Sequence, residues 1–368
     1  MKKPNPFLLL FILLLIPFSV YFVRPDLIGN DGYGFLLFVC TGENIVGLAG
    51  VPLAIFSSFT CNLLAIKAVL FALAFISGCF ILKFCEVFTD EWDKAAYIIF
   101  LSSVFVLEFV KFENDQFAYP FLFASLYYFF KGMTYGRRKS FAKSLILLGV
   151  AGLIWQGSIF YLFAYSFNAV ALAVVSLPII LWKRAEIVGA ILRTFQIAED
   201  MPMQFHLHFI LNFGLFGAIL EPILAYQALF LFGLGAFSAK FWILSLPFLV
   251  VGMILLLKRL EGLPHLKWFN VQTFAMVLAA FCLLGVAQSV WLNQPTESDW
   301  RALEFSQGLE EDVEVDWSMG YWARWYGIQT ESYGSFHRQT DFNGIAVTRQ
   351  DLNCPTLKAF GEVRVVRC

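Results

Sequence analysis

Charged residues are scarce in this chain of 368 residues. They make up 14% of the sequence, against roughly 25% in an average globular domain. Hydrophobic residues account for 59%, including 43 phenylalanines, and the mean hydropathy is +0.71. This balance excludes a disordered chain, a small secreted disulfide scaffold and a free-standing soluble enzyme. A net charge of −1 gives no indication of nucleic-acid binding. The composition is typical of a protein embedded in a lipid bilayer.

Long apolar runs predict membrane-spanning helices along the first 292 residues. A helix needs about 20 mostly apolar residues to cross a bilayer. Residues 185–240 cross either once or three times, so we expect nine or eleven spans. The apolar runs cover 7–23, 61–83, 95–110, 117–130, 144–163, 168–182, 207–238, 241–257 and 269–291.

Basic residues in the short loops predict the orientation of these spans. Residues 131–143 contain five lysines and arginines, which is the strongest basic cluster of the chain. Smaller basic clusters at 183–184 and 258–267 fall on the same side as Lys2 and Lys3. We therefore expect a multi-pass protein of the plasma membrane with a cytoplasmic N-terminus and an extracytoplasmic C-terminus.

The sequence becomes polar and acidic from Asn293 onwards. Residues 299–310 have helical spacing, whereas 313–315 and 362–366 alternate as strands do. The expected fold class is therefore an all-α polytopic membrane domain over 1–292, followed by a small α+β extracytoplasmic domain over 293–368.

Four cysteines lie on the side that we expect to be oxidising. Cys354 and Cys368 are close in sequence within the C-terminal domain, and we predict that they form a disulfide. Cys40 and Cys61 share the first outer loop, and we expect that they also form a disulfide. No C-x-x-C pair and no zinc-type spacing occurs in the sequence.

Acidic residues at the predicted outer surface are candidate functional groups, because ionisable residues near lipid are costly. Asp31 follows the first span, and Glu113 and Asp115 share the turn after the third. Neighbouring carboxylates repel one another without a cation, and their oxygens suit Mg²⁺ or Mn²⁺. Ordinary polar turns are the alternative interpretation. Arg24 and Lys67 either neutralise a lipid phosphate or extend their charged ends towards water.

This layout resembles the GT-C glycosyltransferases, which are membrane enzymes that take sugars from polyprenyl-phosphate carriers. The resemblance implies that Asp31 is the catalytic base, or else a contact of the metal or the acceptor. It implies that Glu113 and Asp115 bind a divalent metal or the lipid phosphate, with Glu199 as a third acid if residues 185–240 cross three times. A protein or a glycan would be the acceptor.

A second resemblance lies in the C-terminal domain. The segment D-W-S-M-G-Y-W at 316–322 is similar to the W-W-D-Y-G-Y-W motif of oligosaccharyltransferase catalytic subunits, with matches at Trp317, Gly320, Tyr321 and Trp322. The positions that read the glycosylation sequon differ, so sequon glycosylation is not expected. The aromatic residues either contact the acceptor or dock the domain on the membrane.

Two other functional classes stay open at this point. A GT-C-derived scaffold or lipid-binding subunit would keep the fold without needing the acids. A transporter would place its ionisable residues near the bilayer midplane, often in repeated halves. Here the acids gather at one face, and no internal repeat is evident.

Overall fold

The computed structural model describes the chain in segments, and all structural statements below concern these. They are residues 5–23, 36–37, 40, 61–110, 114–155, 158, 161, 209–235, 239–261, 296–309, 313–315, 319–327, 344–349 and 354–367.

The chain forms two compact units. The first comprises Met1–Val20, Phe71–Phe109 and Asp115–Gln288. The second comprises Tyr21–Leu70, Val110–Asn114 and Ser289–Cys368.

The described part of the chain is mostly helical. Nine helices with defined bounds precede residue 296 in the described part of the chain, and a 3-10 turn lies at Trp92–Lys94. The helices are α1 (Pro6–Val23), α2 (Leu63–Phe88), α3 (Ala95–Leu101), α4 (Ser103–Phe109), α5 (Asn114–Tyr135), α6 (Arg138–Ile154), α7 (Phe209–Ile219), α8 (Pro222–Gly235) and α9 (Ala239–Glu261).

Three described helices are long and apolar enough to cross a membrane. They are α1, α2 and the part of α9 from Trp242 to Glu261. Their positions confirm helices in the apolar runs 7–23, 61–83 and 241–257, although α2 continues five residues further than expected, to Phe88. These helices identify a membrane-associated protein.

Two of the expected spans are interrupted. The run 95–110 contains α3 and α4, separated at Ser102, whose dihedral angles leave the helical region. The Ser102 hydroxyl is buried and makes no hydrogen bond among the described residues, so its side chain does not cap α4. The run 207–238 contains α7 and α8, and Pro222 is the first residue of α8. Proline lacks an N–H donor and cannot continue a preceding helix, which explains this break.

Helices α7 and α9 pack backbone against backbone. Gly214, Gly217 and Gly252 form the contact, and a Cβ atom added at Gly217 would overlap the carbonyl group of Gly252. Small residues allow this close approach, which is a common way to join helices where lipid removes the hydrophobic driving force.

The C-terminal part of the second unit is a small α+β fold. Its strands form one sheet in the order β1-β2-β4-β3, in which β1 and β2 are parallel and the other pairs are antiparallel. The strand expected at 313–315 is confirmed, and the helix expected at 299–310 and the strand expected at 362–366 are confirmed with bounds shifted to Glu297–Gln307 and Val363–Arg367. The elements are α10 (Glu297–Gln307), β1 (Val313–Val315), α11 (Gly320–Trp325), β2 (Ile345–Thr348), β3 (Thr356–Phe360) and β4 (Val363–Arg367).

Candidate functional site

Two buried carboxylates meet at the junction of α4 and α5. Glu108 lies in the last turn of α4 and Asp115 in the first turn of α5, and their exposed fractions are only 4% and 1%. The hydroxyl group of Tyr119 lies 3.0 Å from Oε1 of Glu108 and 3.2 Å from Oδ2 of Asp115. We call these three residues the acidic network.

The hydroxyl group at the centre of the acidic network has one proton. Tyr119 can therefore donate to only one of the two carboxylates at a time. Because Glu108 and Asp115 approach the same oxygen, Tyr119 couples their positions. The side chain of Gln116 adds a second link, since its Nε2 donates to the backbone carbonyl of Glu108 over 2.9 Å.

Aromatic rings surround the tyrosine of the acidic network. Phe109, Phe123 and Trp155 have ring centres within 5.5, 6.1 and 5.9 Å of the Tyr119 ring. These rings exclude water, and electrostatic interactions are stronger in such an apolar environment. The N-terminus of α5 adds a favourable partial positive charge beside Asp115.

The donor atoms of the acidic network suit a hard divalent cation. Mg²⁺ commonly takes one or two protein carboxylates, together with water and substrate phosphates. No group of three His, Cys, Asp or Glu side chains is placed to hold a metal ion among the residues that the structure describes. Asp115 would therefore supply one ligand, held in place by Tyr119 and Glu108, and the other ligands would have to come from elsewhere.

Lys67, a predicted phosphate contact, lies buried in the second unit. Its exposed fraction is 2%, and its ammonium group donates to the backbone carbonyl of Tyr21 over 3.1 Å. The same group lies 4.8 Å from the centre of the Tyr21 ring. Tyr21 is in the last turn of α1, where carbonyl groups have no partner within the helix. Lys67 therefore caps α1.

The disulfide between Cys40 and Cys61 is confirmed, with 6.0 Å between the two Cα atoms. Cys61 lies two residues before α2 begins at Leu63. Cys354 is also disulfide-bonded. Its pairing with Cys368 stays a prediction, because Cys368 lies outside the described residues.

Most other predicted site residues also lie outside the described segments. Tyr321 and Trp322 belong to α11, and their predicted role stays untested. The predicted residues that fall outside are Arg24, Asp31, Glu113, Glu199 and Trp317.

Sequence reasoning overlooked Glu108 and Tyr119. Glu108 lies within an apolar run that predicts a span, and a carboxylate inside such a run is itself a functional signal. No known protein-family model matches this chain, and a search of the curated proteins finds no significant relative. The function therefore has to be inferred from the residues.

Proposed function

We propose that this chain is a membrane glycosyltransferase of the GT-C type, which moves a sugar from a polyprenyl-phosphate carrier to an acceptor at the outer membrane face. The observation that carries the proposal is the buried acidic network of Glu108, Tyr119 and Asp115. Burying two carboxylates among aromatic rings is costly, and ionisable groups kept in such places usually serve a function.

The Cys40–Cys61 disulfide supports the outer location of this network. Disulfides form in oxidising compartments, so we place the start of α2 on the outer side. Helix α2 is long enough to reach the other face, and α3 and α4 then lead the chain back. Asp115, at the start of α5, comes to lie on the same outer side. The proposed topology has nine or eleven spans, a cytoplasmic N-terminus and an extracytoplasmic C-terminal domain.

The proposed reaction is an inverting displacement at the anomeric carbon. Asp31 removes the proton from an acceptor hydroxyl, whose oxygen forms a bond to that carbon. The bond between the carbon and the phosphate oxygen breaks, and its electron pair leaves with the lipid phosphate. Arg24 and Lys67 are the proposed contacts of that phosphate; Arg24 lies outside the described residues, and Lys67 would have to leave its buried contact with Tyr21 to reach it.

The predicted acids other than Asp31 are proposed to bind a divalent metal ion next to the lipid phosphate. A bound Mg²⁺ or Mn²⁺ ion would neutralise the charge of the leaving phosphate. Asp115, Glu113 and, if it is outside, Glu199 would hold this ion. Glu108 and Tyr119 keep the carboxylate of Asp115 in place through the shared hydroxyl.

The test is incubation of the purified full chain with radiolabelled polyprenyl-phosphate sugars, scored for sugar release or transfer with and without Mn²⁺. Asp31→Asn should lower the rate by about 10²–10⁴-fold, as expected for a general base. Asp115→Asn should lower the affinity for Mn²⁺. A higher Mn²⁺ concentration should then partly restore the rate. Asp90→Asn is the matched control, because Asp90 is exposed in the turn after α2.

The same experiment separates the alternatives. A scaffold or lipid-binding subunit would bind the lipid carrier but release no sugar in any variant. A transporter would move the intact carrier or sugar across a bilayer without breaking the bond. Equal activity of Asp31→Asn, Asp115→Asn and the unchanged chain would refute the assignment of these residues.

A further inference from the structure

A strongly basic surface lies where α5 ends and α6 begins. Residues 131–143 contain five basic residues and no acidic residue. Lys83 of α2 joins them, because it approaches the Tyr127 ring, as Lys131 does. We call this surface the α5–α6 basic patch; its members are Lys83, Lys131, Arg137, Arg138, Lys139 and Lys143.

Aromatic rings lie beside four of these cations, including Arg137, which is 5.8 Å from the centre of the Tyr135 ring. Lys131 lies 4.9 Å from the centre of the Tyr127 ring and donates to its hydroxyl over 2.6 Å. Lys83 lies 5.8 Å from the same ring centre, and Lys143 lies 5.4 Å from that of Tyr128. Such contacts restrain a cation without neutralising it. Positive groups from α2, α5 and α6 therefore surround two adjacent tyrosines.

The first turn of α6 increases the positive potential of the patch. Arg137 is the N-cap residue and Arg138 the first residue of α6. The Arg137 side chain makes no capping hydrogen bond, and the first turn of α6 contains no acid. A helix N-terminus carries a partial positive charge and normally favours acidic residues. Arg137, Arg138 and Lys139 therefore repel both one another and the helix end, and a bound anion would relieve that repulsion.

The patch has no carboxylate of its own. Within the described part of the chain, none of its six cations lies within 4.0 Å of an Asp or Glu oxygen. Lys94, which follows α2, differs from them, because its ammonium group lies 3.0 Å from Glu91 and 3.2 Å from Glu261. Burial alone would lower the pKa of Lys94, but these carboxylates outweigh it and the pKa is raised.

The neighbouring surface indicates which anion fits. Further along α6, one side of the helix is apolar and exposed. The exposed fractions are 61% for Leu145, 67% for Ile146 and 90% for Leu153. An apolar helix side next to clustered cations is typical of a helix that enters a bilayer, with its cations at the level of the lipid headgroups.

We propose that the α5–α6 basic patch binds the phosphate headgroup of an anionic phospholipid, such as phosphatidylglycerol, in the adjacent leaflet. The exposed first-turn cations Arg138 and Lys139 contact the phosphate, and the exposed side of α6 lies along the acyl chains. This inference does not depend on the glycosyltransferase proposal.

The test titrates the purified full chain in neutral detergent with phosphatidylglycerol, phosphatidylcholine or inorganic phosphate. Bound lipid is counted by native mass spectrometry, and the shift in thermal unfolding temperature is measured in parallel. Phosphatidylglycerol should bind more tightly than phosphatidylcholine, and inorganic phosphate at equal concentration should give little shift. The double variant Arg138→Gln with Lys139→Gln should bind phosphatidylglycerol about 25-fold more weakly, because each surface cation contributes about a fivefold change.

Two further variants keep this result interpretable. Lys139→Arg keeps the charge and should bind like the unchanged chain. Lys94→Gln removes the same charge from a lysine that already has carboxylate partners, and should also bind normally. Undiminished binding by the double variant, or an equal loss in Lys94→Gln, would overturn the proposal. So would equal binding of phosphatidylcholine, or an equal shift with inorganic phosphate.

Discussion

The ammonium group of Lys67 lies 3.1 Å from the backbone carbonyl of Tyr21 and 4.8 Å from the centre of the same residue's ring. Lys67 of α2 thereby donates a hydrogen bond to a carbonyl group in the last turn of α1 and makes a cation–π contact with the ring of the same residue. A positive charge at a helix C-terminus is favourable as well. The contact explains why a lysine is kept in a buried position within an apolar helix.

We expect Lys67→Ala to destabilise the protein by about 2–4 kcal/mol, because it leaves a cavity and removes the partner of a buried carbonyl group. Reversible unfolding in denaturant would measure the change in the free energy of unfolding. Lys258→Ala is the control, since Lys258 is exposed at the end of α9, and a surface change usually stays within about 0.5 kcal/mol. A stable Lys67→Ala protein would contradict the capping role.

Removing the shared hydroxyl tests the acidic network. Tyr119→Phe keeps the ring contacts but removes the donor that reaches Glu108 and Asp115. A hydrogen bond to a charged group contributes about 1.5–3 kcal/mol, so we expect about a 10- to 100-fold lower transferase rate. The rate should recover in part with added Mn²⁺. Tyr135→Phe, on the exposed end of α5, should keep the full rate.

The close contact of α7 and α9 predicts that alanine is destabilising at a glycine inside the contact and tolerated at a glycine outside it. Gly217→Ala places a methyl group against the carbonyl of Gly252, and we expect a loss of about 1–3 kcal/mol from overpacking. Gly233 of α8 has open space around it, so Gly233→Ala should be neutral or slightly stabilising. Thermal unfolding of both variants in one detergent measures the difference, and equal stability would argue against the contact.

The sequence predicted features that depend on local composition. The helices at Pro6–Val23 and Ala239–Glu261 are continuous apolar runs, and the strand at Val313–Val315 alternates as a half-buried strand does. The pairing of Cys40 with Cys61 followed from their position in one outer loop.

Features that depend on contacts between distant residues were not predictable in this way. Glu108 and Tyr119 are eleven positions apart, and their contact requires the turn between α4 and α5 to bring the two helices together. The link between Asp299 and Arg349 spans fifty positions, and it forms only when the C-terminal sheet has folded. Glu108 differs from its surroundings as a carboxylate in an apolar run, but nothing local identifies Tyr119 as its partner. No local pattern links Asp299 with Arg349.

The buried carboxylate of Asp299 links α10 to the end of β2 in the C-terminal fold. Both of its oxygens lie 2.7 Å from Nη2 of Arg349, and Oδ2 also accepts from the backbone N–H of Thr296, over 2.7 Å. Asp299 thus completes the capping box at the start of α10 and joins that helix to the residue after β2. Its side chain is fully buried.

Removing one member of this buried pair should therefore destabilise the domain. We expect Asp299→Ala to lower its stability by about 3–5 kcal/mol, because the charge of Arg349 would be left without its partner. Glu304→Ala is the control, since Glu304 is exposed on the same helix. Limited proteolysis of the full chain, followed by mass spectrometry of the fragments, should show faster cleavage after residue 293 only in Asp299→Ala. Equal cleavage in the two variants would mean that the ion pair contributes little, and that the sheet and the apolar side of α10 hold the domain together.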